Sequence, residues 1–508
     1  MSPALTESLA ELPALLRAHM LLGGSAVAIG VLVGVPLAII GSECRRVATP
    51  LLAFAGLIQT IPALALLALF YPLLLLIGRG TGLPLPALGF LPALIALALY
   101  ALLPILRNGI AALKGLDPAI VEAANGIGMT RWQRLWLVEL PLGAPVMLAG
   151  IRTASVWTIG AATLATTVGQ PSLGNLIFSG LQTESWVRVL VGCGASALLA
   201  LSVDAMLALI EHGVAKRSKP LWLSGLGLLI AAMVLTIPFA RGESAGTVII
   251  GAKNFSEQYI LASMIEDRLK AAGYRTERRD DLGSAVAYRA LAAGDIDVYV
   301  DYGGTLWANV LGRKDNPPAT SVRQQLNEAL ARRDGVRVLG ALGFENAYAL
   351  AMQRSEAARL GVTTLGDLAG VAPKLRFASD IEFLTRPEWR AVASAYGLRF
   401  ADQRPYNPTF MYHAVAEGSA DVISAFSSDG RIAALDLVTL TDPKHALPSY
   451  EALLLLSPAR ARDGRFAATL QPLIASISID RMRKAILMVD RDADKRTPAE
   501  AAAWLEKR

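Results

Sequence analysis

Cysteine is nearly absent from this chain: two among 508 residues, Cys44 and Cys193. Both fall in the first half, so no disulfide frame can hold the second half together. With only four histidines and no CxxC pair, the sequence offers no metal-ligand spacing either, and no cofactor is expected. No Ser/His/Asp or paired-carboxylate constellation stands out, which leaves an enzymatic reading unsupported. No GxxxxGK[ST] loop occurs, so the chain has no means of cradling ATP phosphates itself. Charge is scarce as well, but on one side only: residues 1–245 hold 24 charged side chains, against 66 in residues 246–508. The net charge of +6 is spread without a dense basic stripe, so a nucleic-acid partner is not indicated.

The charge-poor half consists of long apolar runs. Six read as membrane spans, at roughly 19–41, 50–77, 87–106, 140–168, 187–210 and 221–240, each near or above the ~20 residues that cross a bilayer. The second is interrupted by Pro62 and Pro72, and the fourth carries Arg152. The first run is long and followed by more of the same, so it reads as a span and not as a removable signal. Arg45 and Arg46, then Arg107, Lys114, Arg131 and Arg134, then Lys216, Arg217 and Lys219 fall in alternate loops. By the positive-inside rule those loops are cytoplasmic. The amino terminus and the charge-rich second half are then both on the outer side.

The longest cytoplasmic loop, 107–141, has the character of a short helix. Asp117-Pro118 is a helix start, and Glu122-Ala-Ala-Asn-Gly-Ile-Gly128 follows as a small-residue patch beside an acid, suited to close packing against a partner. Trp132 and Trp136 are equally suited to anchoring an amphipathic helix on the bilayer. Glu122, Ala123, Ala124 and Gly128, with Leu140-Pro141 downstream, resemble the EAA loop of ABC importer permeases. Ile58-Gln-Thr-Ile-Pro62 resembles the second-span signature of the osmoprotectant branch. The resemblance implies a permease fold, a separate cytoplasmic ATPase that docks on this loop, and a second permease copy. A membrane-tethered sensor without transport would have no use for such a loop.

From Thr247 the pattern becomes mixed α/β. Strands are expected at 248–250, 297–300, 347–352, 376–378 and 421–425, alternating with helices, which predicts parallel sheets in two lobes. Ligands in such folds sit at the carboxyl ends of strands. The loops there read Ala252-Lys-Asn-Phe-Ser-Glu-Gln258, Asp301-Tyr-Gly-Gly-Thr305, Asn346-Ala-Tyr348, Asp380-Ile-Glu-Phe-Leu-Thr-Arg386, Phe426-Ser-Ser-Asp-Gly-Arg431 and Pro448-Ser-Tyr450. This set resembles the periplasmic-binding-protein-like receptors for glycine betaine, choline, carnitine and related quaternary amines.

What the resemblance implies can be placed residue by residue. Tyr302, Tyr348 and Tyr450 correspond to an aromatic cage around a quaternary ammonium, with Phe426 where many relatives carry a fourth tyrosine. Ring faces suit a methylated ammonium, which has no ordinary hydrogen bond to donate. Tyr299, Tyr406 and Tyr412 are alternative aromatic positions. Lys253, Thr305 and Arg386 correspond to the holders of a ligand carboxylate, with Asn346 beside the cage. On that reading Lys253 and Arg386 favour a zwitterion over choline, which has no anion to neutralise them. Ergothioneine, another trimethylammonium betaine, is an alternative cargo.

The chain is thus expected to be an all-α polytopic membrane domain followed by a two-lobed α/β domain. The membrane part covers 1–219, a last span and tether 220–246, and the binding domain 247–508. Its lobes are expected at about 247–343 with 447–508, and at 344–446, with hinges near 343 and 446.

Overall fold

The computed structural model describes residues 3–82, 86, 88–183, 185–236, 246–313, 315, 317–406, 408–491 and 494–507. The chain forms two compact units, a helical one drawn from Leu5–Ile177 and Val187–Gly242, and an α/β one that holds Glu243–Arg508. The expected tether falls largely on 237–245, outside the described residues.

The chain before the sheets forms α1 (Pro3–Glu43), α2 (Arg45–Thr60), α3 (Ala63–Thr81), α4 (Phe90–Lys114), α5 (Pro118–Gly126), α6 (Arg131–Arg134), α7 (Leu140–Ala161), α8 (Gly174–Gln182), α9 (Trp186–Ala215) and α10 (Lys219–Thr236). Among the described residues five stretches are long and apolar enough to span a membrane, or six if the sharply bent pair, α2 with Ala63–Gly78 of α3, is one broken span. The bend lies at Pro62, which has no N–H and cannot continue the ladder. The carbonyl freed there, on Ile61, accepts from the Tyr100 hydroxyl, and Gln59 Nε2 returns a bond to the Tyr100 carbonyl at 3.2 Å. A proline break is tolerable in lipid when a neighbouring helix supplies the missing donor.

Helix α4 is the most enclosed, and small residues let its neighbours approach. A Cβ on Gly109 would stand 2.6 Å from Ala38 Cβ, and one on Gly150 would stand 2.5 Å from Asn108 Cβ and 2.9 Å from the Pro104 carbonyl. Without a hydrophobic drive between helices in lipid, this close contact is what holds them. Arg152 on α7 is not exposed to lipid as a bare charge. Its Nε and Nη2 donate to Asp204 at 2.9 and 2.8 Å, and its Nη1 to Glu211 at 2.7 Å, both on α9.

In the loop between α4 and α7, α5 starts where the sequence places it. The Asp117 carboxylate accepts from Ala119 N–H at 2.9 Å, with Pro118 in the first turn. Gly128 ends the turn at φ +80°, and Thr130 and Gln133 form a reciprocal capping box for α6. Glu122 and Ala123 face solvent while Ala124 is buried.

The α/β unit has two five-stranded sheets. The first runs β2-β1-β3-β10-β4, from β1 (Thr247–Lys253), β2 (Arg275–Leu282), β3 (Val298–Tyr302), β4 (Arg337–Glu345) and β10 (Glu451–Leu456). The second runs β7-β6-β8-β5-β9, from β5 (Tyr348–Gln353), β6 (Arg376–Asp380), β7 (Asp402–Tyr406), β8 (Val422–Phe426) and β9 (Leu437–Thr439). Both are mixed, not purely parallel as expected. β10 is antiparallel to β3 and β4, and β5 is antiparallel to β8 and β9. These two are the strands by which the chain passes from one sheet to the other. A strand that arrives from the opposite lobe enters its sheet from the far end, so its direction is reversed. The first passage is the short link Asn346–Ala347 between β4 and β5. Gly343, near which the first hinge was expected, lies inside β4 three residues before that link, where its φ of +112° lets the backbone pass close to Ala475 and the Ile477 carbonyl.

A ligand cavity between the two sheets

The carboxyl ends of β1, β3, β6 and β8 converge with the two passages between sheets on a cavity of about 370 Å³. Lys253, Tyr302, Thr305, Asn346, Tyr348, Arg386, Phe426 and Tyr450 all line it, as do Glu257, Asp380, Tyr406, Ser428, Asp429 and Arg431. Such a volume lies at the small end of the ~300–1,000 Å³ typical of small-molecule sites.

Tyr348, the first residue of β5, is the centre of the aromatic wall. Its ring centroid is 4.5 Å from Phe383, 5.0 Å from Phe426 and 5.8 Å from Tyr450, the last edge-on. Tyr450 is held by packing against Gly304, where a Cβ would lie 2.8 Å from the ring. Tyr302 belongs to a different pair, 6.2 Å from Phe255. Cations of the protein already lie on two of these rings: Lys253 Nζ is 5.1 Å from the Tyr302 centroid, and the Arg386 guanidinium 5.4 Å from that of Tyr348. Of the alternative aromatics, Tyr406 lines the cavity. Tyr299 is buried and donates to Asp301 at 2.5 Å, while Tyr412 lies 4.1 Å beneath the Arg431 guanidinium.

The electrostatics differ from the reading of the sequence. Lys253 is 2% exposed and forms an ion pair with buried Asp301, which also accepts from Tyr302 N–H at 2.7 Å. Arg386 pairs with Glu388 at 3.0 Å, and Glu388 Oε1 also accepts from the Tyr450 hydroxyl at 2.5 Å. Arg431 pairs with Asp429 at 2.7 Å. Burial works against the charge on Arg431, but the nearby Asp429 and Asp490 outweigh it and hold its pKa above the ordinary value. Each lining cation thus has a carboxylate of its own. Neither Lys253 nor Arg386 is an uncompensated buried charge, so neither demands an anion from the ligand.

Glu257, in the first turn of α11 (Ser256–Ala271), makes no ion pair among the described residues. It accepts from the Ser428 hydroxyl at 2.6 Å and from the Tyr302 hydroxyl, which in turn accepts from Gln258 Nε2 at 2.8 Å. Burial pushes its pKa up to about 7, and the charge on Asp429 adds to this; hydrogen bonds from Ser428, Tyr302 and Asn346 oppose the shift. Burial likewise raises the phenols of Tyr302 and Tyr450 well above their usual value, so both are neutral donors.

Several bonds cross from one sheet to the other. Glu257–Ser428 and Tyr450–Glu388 are two; Arg386 Nη2 to Thr305 Oγ1 at 3.4 Å is a third. Arg483 donates to the Ser427 carbonyl at 2.9 and 2.7 Å. The lobes are closed over the cavity. The reading from sequence missed Glu257, Asp301, Glu388, Ser428 and Asp429. All five lie within three residues of a residue it had chosen or inside a segment it had singled out, so proximity was the available signal.

Two family models divide the chain between them. Residues 246–507 match the substrate binding domain of ABC-type glycine betaine transport systems, and residues 29–216 match the binding-protein-dependent transport system inner membrane component. The ergothioneine transport permease/ergothioneine binding protein EgtU of Helicobacter pylori is 29% identical over 84% of this chain and 77% of its own length. The glycine betaine/carnitine/choline transport system permease protein OpuCB of Bacillus subtilis is 38% identical over 39% of this chain and 85% of its own. A solved structure described as a glycine betaine/carnitine/choline ABC transporter covers 51% of this chain and 96% of its own, at 25% identity and a TM-score of 0.46. A non-catalytic transport subunit of this kind works with a separate ATPase, and its binding domain faces the outside of the membrane. The chain belongs to the quaternary-amine family of ABC importers, with permease and substrate-binding domain fused in one polypeptide.

Proposed function

We propose that this subunit takes up quaternary ammonium osmoprotectants of the glycine betaine, choline, carnitine and proline betaine class. The observation that carries the reading is the Tyr348 wall: Phe426 and Tyr450 each lie within 6 Å of Tyr348 on the cavity, with Arg386 already on the Tyr348 ring face. Electron-rich rings suit a cation that has no N–H to donate. Thr305, Arg386, Lys253 and Asn346 offer polar groups for the other end of the ligand. The relative from Bacillus subtilis supports this reading by its named substrates. A second reading, ergothioneine, is favoured by the relative from Helicobacter pylori, whose similarity runs through both halves.

The permease acts as a pair, a second copy of this chain being the simplest partner, and the ATPase docks at Glu122, Ala123, Ala124 and Gly128. In support, α5 is capped by Asp117 and presents Glu122 and Ala123 to solvent, with the 75%-exposed Ile127 just beyond its end. The full chain in nanodiscs, screened by thermal shift against glycine betaine, choline, carnitine, proline betaine and ergothioneine, tests the cargo. At least one of the five should raise the melting temperature in a saturable way; no response to any of them sinks the reading.

A further inference from the structure

The structure assigns to this cavity a cargo of net positive charge: a quaternary ammonium ion without a carboxylate, of which choline is the type, in preference to the zwitterionic betaines. This rests on the quaternary-ammonium reading above and divides the class it names.

The balance of charge around the cavity carries the inference. Three lining side chains are cationic, Lys253, Arg386 and Arg431, and four are acids, Glu257, Asp380, Asp429 and Asp490. Behind them Asp301 and Glu388 complete the pairs with Lys253 and Arg386. Among the described residues the shell thus holds six carboxylates against three cations, a formal charge of −3. With Glu257 protonated, five carboxylates face the same three cations and the charge is still −2. None of the six acids is more than 6% exposed, so dissolved ions do little to offset the excess. Neutral donors spread it without cancelling it: Asp380 accepts from Phe383 N–H at 2.8 Å, Asp490 from the Ser256 hydroxyl at 2.5 Å and Glu257 from the Ser428 hydroxyl at 2.6 Å.

A buried excess of one sign is costly, and the opposite charge relieves it. A carboxylate acts on a ligand through a low-dielectric wall without touching it, so the sum matters here and not the direction in which any one acid points. A quaternary ammonium ion supplies one positive charge to this shell. A betaine supplies the same head group and brings a carboxylate with it. Each lining cation already has an acid beside it, so that carboxylate would give up its water for no cation of its own.

Calorimetry on the full chain in nanodiscs tests this with choline, glycine betaine, betaine amide and ergothioneine. Betaine amide keeps the shape of glycine betaine and replaces its carboxylate with a neutral group. The amide should bind about tenfold or more tightly than glycine betaine, and choline more tightly than either zwitterion. Glu257→Gln removes one negative charge at about pH 8, where Glu257 is ionised, and should shrink the gap between amide and glycine betaine severalfold. Glycine betaine binding as tightly as the amide, ergothioneine binding more tightly than choline, or a gap that Glu257→Gln leaves whole overturns the inference while the quaternary-ammonium reading stands. Failure of all four compounds to bind overturns both.

Discussion

At the scale of single residues, Tyr348 and Glu257 do most to shape the cavity. Tyr348 touches three other rings and a guanidinium, so truncating it opens the wall as well as removing one π face. Tyr348→Ala should weaken quaternary-ammonium binding about tenfold or more, read by calorimetry on the full chain, given that a desolvated cation–π contact alone is worth ~1–2 kcal/mol. Unchanged affinity would remove Tyr348 from the site. Glu257 makes stability depend on pH with a defined sign. Its folded pKa, about 7, lies above its ordinary 4.5, so the native state holds the proton more tightly than the unfolded one. The contribution is fully present below about pH 4.5 and is lost as pH rises through 7. By linkage the loss is on the order of 3 kcal/mol. Glu257→Gln mimics the protonated form, so its stability relative to the parent should increase from pH 5 to pH 8. Melting of the α/β unit, followed by the fluorescence of Trp307, Trp389 and Trp504, measures this; a gap constant with pH would contradict it.

Residue types were easier to read than residue partnerships. The cavity-lining tyrosines lie at strand ends, where a loop position announces itself. The carboxylates that neutralise Lys253 and Arg386 do not: Asp301 comes from a neighbouring strand, and Glu388 looks like any surface acid at a helix start. Only the folded register shows that each is buried beside a cation.

At the scale of elements, five strands were legible because β-branched or small apolar residues are bounded there by polar loops. β2 escaped notice because it is a charged sheet edge, Arg-Thr-Glu-Arg-Arg-Asp-Asp-Leu, with no apolar alternation. β10 escaped for the opposite reason. Leu453 to Leu456 are all 0% exposed, so the strand is apolar on both faces and has no period of two to detect. In the membrane half the spans were legible by length, and the Pro62 break by the residue itself, while the Tyr100 hydroxyl that repairs it came from a helix about forty residues away. On α5, Glu122→Arg reverses an exposed charge without touching the Asp117 cap or buried Ala124, so the helix should persist. Ligand binding should be unchanged and ATP-driven uptake in proteoliposomes with the ATPase should fall at least tenfold, by the cost of a like-charge or unpaired contact in a docked surface. Full uptake by this variant would exclude the loop as the docking site.

At the scale of the whole molecule, one chain carries both the pore and the receptor that feeds it. Covalent linkage replaces a diffusional search with an effective concentration on the order of millimolar. Receptor and permease are then present in a fixed ratio, and cargo capture is not limited by how much free receptor surrounds each transporter.

The internal pairing of the cavity's charges has a consequence for the medium in which this receptor works. Lys253 with Asp301, and Arg386 with Glu388, have side chains at most 6% exposed, beyond the reach of mobile ions. Dissolved salt screens exposed charges and long-range attraction, not pairs sealed in protein. The dissociation constant should therefore stay nearly flat between about 0.05 and about 1 M KCl, whereas a site that drew its ligand with a bare cation would weaken steadily across that range. A calorimetric titration at each salt concentration distinguishes the two. A receptor with this wiring keeps its grip on a small charged solute in brine.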